Sequence, residues 1–176
     1  MALSIQTLPE DERRKVADWA ASCAERVLGL FEAEKPGDDR PRQAIARARA
    51  YAKGELDTAG EIRRRFGGGS TRRDASPAAL AAARSAGQAS AVCHMGAHAL
   101  GAAAYAVKAA GLAAPDAPDR EETEIAWQVA QLTPAARAAL RTLPPIGQDR
   151  SGPLGPGLLA SGRMGQIIAR LQAAIG

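Results

Sequence analysis

Aromatic side chains make up only 3% of this 176-residue chain, so bulky rings cannot build its interior. Cysteine is equally scarce. Cys23 and Cys93 are the only two; they form no CxxC pair, which excludes a disulfide-stapled secreted scaffold. Both fall near apolar stripes of helical patterns and read as small buried thiols in a reducing cytosol. No sequence unit recurs at a fixed period, which argues against a regular solenoid. The stretch from Met1 to Lys15 lacks a basic start followed by an apolar run, so no secretory signal is visible. Residues 89–114 are long enough to cross a bilayer, but His94, His98 and Lys108 interrupt them and alanine and glycine dominate. A buried helix of a cytoplasmic protein, with no membrane partner, explains that segment better.

An excess of one charge is also lacking. Lys and Arg number 23 against 19 Asp and Glu, a net charge of +4, and the signs are mixed along much of the chain. A nucleic-acid partner is not expected, because such proteins concentrate a basic face and add aromatics for stacking.

What the chain does contain is alanine, in runs with few β-branched residues. Alanine favours helix but buries little area, so a core made from it needs close helix–helix contact. The expected fold is all-α: one domain, a multi-helix bundle of antiparallel hairpins. Thr7-Leu-Pro-Glu10 has capping-box spacing, followed by Val16, Trp19, Ala20, Cys23, Val27, Leu30 and Phe31 at helical intervals, which predicts a helix over residues 8–34. Pro36-Gly37 ends it, and Asp38 or Asp39 can cap the next helix, with Pro41 in its first turn. Ala44, Ile45, Ala48, Tyr51 and Ala52 form the inner face of that second helix. Residues 57–66 read as a short helix. Arg63-Arg-Arg65, Gly67-Gly-Gly-Ser70 and Arg72-Arg73 read as a solvated connector, since no strand precedes the glycines as a phosphate loop requires. Ser76-Pro77 opens a helix to about Ala86, and after Gly87 a second one runs to about Ala110. Asp119 caps a helix carrying Ile125, Trp127, Val129 and Leu132, and Thr133-Pro134 opens a further short one. The helical domain is placed at residues 1–145. Residues 146–176 form a Gly/Pro-rich tail with a short C-terminal helix bearing Ile167, Ile168, Leu171 and Ile175, which docks on the body or supports a homodimer.

Two constellations carry the chemistry. On one continuous helix, His94, His98, Gly101, Tyr105 and Lys108 would share about one quadrant at ~100° per residue. Imidazoles at i and i+4 can share a metal ion, but no HExxH motif is present and a third ligand would come from Asp38, Asp39 or Glu25 only if the fold brings one close, so neither a metal nor another cofactor is expected. His94, His98, Tyr105 and Lys108 could line the cleft of a small cofactor-free enzyme, a lyase, cyclase or isomerase acting on a small molecule. Alternatively the histidines pack against the acidic loop of the first hairpin. The second constellation is Pro36-Gly-Asp-Asp-Arg-Pro-Arg42. Asp38, Asp39, Arg40 and Arg42 exceed the needs of a turn and suit an internal ion-pair lock or recognition of a polar partner. Gly96 and Gly101 weaken a helix by about 1 kcal/mol each relative to alanine, which predicts close approach by a neighbour.

In order along the chain, Ala17-Asp-Trp-Ala-Ala-Ser-Cys-Ala-Glu25, Leu30-Phe-Glu32, Pro36-Gly-Asp-Asp-Arg-Pro-Arg42, Ala50-Tyr51 and Gly54-Glu55 form one block. Ala86-Gly87, Cys93-His-Met-Gly-Ala-His98 and Ala102-Ala-Ala-Tyr105-Ala-Val-Lys108 form another. With these blocks the chain resembles the bacterial putative immunity proteins over residues 10–130. That resemblance implies a small helical protein of a polymorphic toxin system, which binds and neutralises a cognate toxin; it points to no catalytic residues and is compatible with a family whose members include uncharacterised enzymes. Its contacts would then fall at Asp38, Asp39, Arg40 and Arg42 and at the exposed part of His94, His98 and Tyr105.

Overall fold

The computed structural model describes residues 4–65, 74–157 and 159–176. The connector read at residues 63–73 falls outside the described backbone from residue 66 and outside the described side chains throughout. Eight α-helices and no strand occur among the described residues, as the alanine-rich composition requires. They are α1 (Glu10–Glu34), α2 (Arg40–Ala52), α3 (Thr58–Arg65), α4 (Pro77–Ala91), α5 (His98–Ala113), α6 (Arg120–Ala130), α7 (Pro134–Arg141) and α8 (Gly162–Ile175). A 3-10 turn at Ile5–Thr7 precedes α1.

Helices α1 and α2 form the first hairpin and α4 and α5 the second. The two hairpins pack together through α1 on α4 and α5, with α5 at the centre, covered also by α6 and α8. Alanine makes this possible. Ala99, Ala102, Ala103, Ala106 and Ala109 of α5 are fully buried, and such short side chains let helix axes approach closely. The larger core residues Phe31, Tyr51, Leu100, Ile167 and Leu171 fill what remains. After α7 the chain runs through turns and bends, yet Leu154 is fully buried there. Ile167, Ile168 and Leu171 then seat α8 against the body.

Two boundaries differ from the expected ones. The Thr7–Glu10 capping box does not form: Leu8 takes φ 58°, and Pro9 occupies the N-cap without a side-chain bond. The Thr7 carbonyl instead accepts the Gly96 N–H at 2.9 Å. Likewise, Gly87 does not break the chain; it lies inside α4, and the break falls at residues 92–97. The reason is tertiary. Gly96 and Ala97 donate to the Thr7 and Gln6 carbonyls at 2.9 and 3.0 Å, replacing the helical partners those amides would otherwise need. A glycine inside a helix imposes only about 1 kcal/mol, which this packing overrides.

Candidate functional site

The turn between α4 and α5 splits the expected histidine stripe. His94 sits on the turn, exposed, while His98 is the first residue of α5 and half-buried. Their rings are 6.4 Å apart between centroids and tilted by 35°. His98 Nδ1 lies 2.8 Å from Gln88 Oε1, which ties α5 back to α4. Gly101 explains why that bond is reachable: a Cβ there would overlap the Gln88 side chain and press on Leu159. Gly96 plays the same part toward Leu8. The close approach expected at both glycines is thus made by neighbouring side chains of the same chain.

From His98 the face continues through Tyr105 to Lys108. Tyr105 is only 4% exposed, and the Arg84 guanidinium lies 6.0 Å from its ring centroid. Lys108 is half-buried one turn further. Ten residues of α5 separate His98 from Lys108, roughly 15 Å along the axis. His94, His98, Tyr105 and Lys108 therefore do not converge on one reacting atom. Two of them are at the turn, one is packed in, and one lies at a distance. Among the described residues no three His, Cys, Asp or Glu side chains group as metal ligands.

The turn itself is held from both sides. Gln6, fully buried, accepts the Leu154 N–H on its Oε1 at 2.9 Å and donates through Nε2 to the Ser151 carbonyl. Its own carbonyl accepts the Ala97 N–H. Ser4 and Ser151 hydroxyls meet at 2.8 Å beside Asp149, whose carboxyl is held below its ordinary value by the Ser151 backbone and hydroxyl bonds. Gly152 takes φ +89°, with Met95 and Gln6 against it. One short N-terminal turn thereby fixes both the His94 turn and the loop before α8.

The acidic–basic corner lies at the other end of the bundle. Ser76 at the start of α4 donates N–H and hydroxyl to Glu34 at the end of α1, so the corner adjoins the α4 N-terminus. His94 follows its C-terminus, 15 residues of helix away, roughly 22 Å. The histidines consequently do not bond the loop of the first hairpin, and the two constellations form two surfaces. At the corner, Arg40 Nε donates to Asp38 at 2.7 Å, and Arg42 forks onto Glu32 with two bonds of 2.7 Å. Those bonds raise both guanidinium values further. Asp39 occupies the N-cap of α2 but makes no capping bond, accepting instead from Gln43 at 2.6 Å. Asp38 accepts the Arg40 N–H at 3.3 Å. Arg40 and Arg42 are thus engaged in ion pairs within the chain, as a lock requires.

Sequence patterning missed the buried polar cluster of α1 and α6. Glu124, fully buried, meets Arg26 Nε at 2.9 Å, and the Arg26 guanidinium also stacks 4.1 Å from the Trp127 ring centroid. Gln128, one turn on, is buried too; its backbone carbonyl accepts Trp19 Nε1 at 2.8 Å. The apolar stripe through Trp127 and Val129 pointed to a different inner face. The i, i+4 spacing of Glu124 and Gln128 was the available signal. Cys23 lies in the same interior; burial, then Glu124, pushes its thiol well above the ordinary value. It is thereby held protonated and is no nucleophile at neutral pH.

No helix of the described residues is long and apolar enough to cross a membrane. Neither curated proteins nor solved structures yield a match. A family model does: residues 6–135 match the family described as Imm-5 like putative immunity protein. The matched span runs from the Gln6 turn to the first residues of α7 and contains both candidate surfaces. Since it covers well over half of the chain, this protein belongs to the Imm-5 like putative immunity protein family.

Proposed function

We propose that the chain is a cytoplasmic immunity protein of the toxin-neutralising kind, acting by binding a cognate bacterial toxin without a cofactor. The observation that carries this reading is the family match over residues 6–135. The geometry agrees with it in one respect. A binding protein needs a rigid surface rather than converging reactive groups, and the His94 turn is such a surface, fixed from both sides by Gln6. The candidate contacts are His94, His98 and Tyr105 at one end and Asp38, Asp39, Arg40 and Arg42 at the other. The enzyme alternative has weaker support, because His94, His98, Tyr105 and Lys108 do not face a common point.

The direct test is co-expression with the product of a toxin gene sought in the neighbourhood of this one; a neighbourhood without such a gene would count against the reading. Growth of the co-expressing cells and recovery of a stoichiometric complex are expected. Toxicity undiminished by this protein, with no complex in gel filtration, would remove the reading.

A further inference from the structure

Many of the arginines among the described residues are matched internally. Arg14, Arg26, Arg42, Arg47, Arg49 and Arg170 each lie within 3 Å or so of a carboxylate on a neighbouring turn or helix. The α4–α5 hairpin is different. From Ala75 to Pro115 the chain contains no Asp or Glu, and it carries Arg84, exposed, and Lys108, half-buried. Neither has a carboxylate partner among the described residues. Arg84 over Tyr105, and His98 against Gln88, place Arg84, Tyr105, Gln88 and His98 along one seam of the hairpin, with Lys108 one turn beyond Tyr105.

Gly87 adds an independent observation. It is exposed in the middle of α4, and a Cβ there would meet nothing within 4 Å. An interior helical glycine forfeits about 1 kcal/mol relative to alanine, and nothing within the fold requires this one. An opening of that kind between Arg84 and Gln88 suits close approach from outside. Gly29 of α1 is similarly open, but Glu25 and Glu32 on either side of it are held in ion pairs with α2.

We propose that the outer face of the α4–α5 hairpin, centred on Arg84, Gly87 and Lys108 and bounded by His94 and His98, docks a protein partner through a carboxylate-rich patch. The inference rests on the immunity reading and names which of its two surfaces meets the toxin. Charge complementarity selects the partner chemistry: two cations without a carboxylate partner, on a hairpin that contains no acid, attract carboxylates and repel cationic faces. A nucleic acid fits less well, since two cations on one hairpin make no continuous track for phosphates.

The experiment titrates a purified toxin, found by co-expression to be neutralised by this protein and used in a non-toxic variant, against four proteins by calorimetry. These are the wild type, the double variant Arg84→Glu/Lys108→Glu, Gly87→Trp, and Gly37→Trp at the opposite corner. Gly37 is exposed and a Cβ there also meets nothing within 4 Å; circular dichroism checks the fold of each tryptophan variant. Expected are at least about tenfold weaker binding for the charge reversal and for Gly87→Trp, with Gly37→Trp unchanged. Loss at Gly37→Trp with both hairpin variants binding normally would overturn the docking face and keep the immunity reading. So would normal binding by all four proteins. Failure of the wild type to bind removes the immunity reading and this face with it. Binding of duplex DNA by the wild type, lost on charge reversal, would replace the protein partner by a polyanion.

Discussion

The two histidines show how differently neighbouring residues of one motif are used. His94 projects from a turn into solvent, while His98 closes a bond to Gln88 across the α4–α5 seam. His98→Ala should lower stability by about 1 kcal/mol, the usual net worth of one hydrogen bond. His94→Ala should change it by less than about 0.5 kcal/mol, as at most exposed positions. Urea denaturation of the two variants checks the contrast, and equal losses would contradict it. The i, i+4 spacing of the pair was plain in the sequence. That a turn would intervene was not, because Cys93, His94 and Met95 carry no turn signature and the breaking glycine looked like Gly87.

At the level of elements, what decides the turn is Gly96. Its N–H bonds Thr7, and a side chain there would overlap Leu8. Gly96→Ala should therefore cost about 1–3 kcal/mol by overpacking, read as a lower thermal midpoint, and Leu8→Ala in the same chain should restore part of it. Helix α8 is held by a second device. Glu121 of α6 accepts from Arg163 at 2.6 Å and from Arg170 at 2.7 Å, and Arg170 also reaches Glu122 at 2.5 Å. Burial pushes the Glu121 carboxyl up, but the Arg170 and Arg163 bonds outweigh it and hold the value below the ordinary one. A depressed folded value contributes stability above the unfolded value and loses it as pH falls through the folded one. The α6–α8 contact should accordingly weaken below about pH 4, the ordinary glutamate range. Glu121→Gln should remove part of this acid sensitivity, followed as denaturation midpoint against pH.

Over the whole molecule, the ends of the chain are stitched through its middle. Gln6 bonds Ala97 through its backbone carbonyl and Ser151 and Leu154 through its side chain, so an N-terminal turn, the central turn and the loop before α8 share one buried residue. Gln6→Leu leaves the Leu154 N–H and Ser151 carbonyl without that partner, at about 1–3 kcal/mol for buried groups left unmatched. Hydrogen exchange at the Leu154 amide should accelerate in that variant. Unchanged exchange would show that the stitch contributes nothing. In the proposed role, a surface held by such bonds would give up less conformational entropy on docking.

The sequence alone determined the all-helical class, the first hairpin with its proline–glycine corner, the caps at Ser76 and Thr133, and the family blocks. These follow from local rules of periodicity, capping and alanine content, which act within a few residues. Only the tertiary structure decided where the central helix begins, that the two candidate surfaces lie at opposite ends of α4, and that Glu124 turns inward to Arg26. Each depends on a partner distant in the chain: Thr7 for Gly96, Glu34 for Ser76, Arg26 for Glu124. Hydrogen bonds and ion pairs over such separations leave no period in the sequence, so packing alone could reveal them.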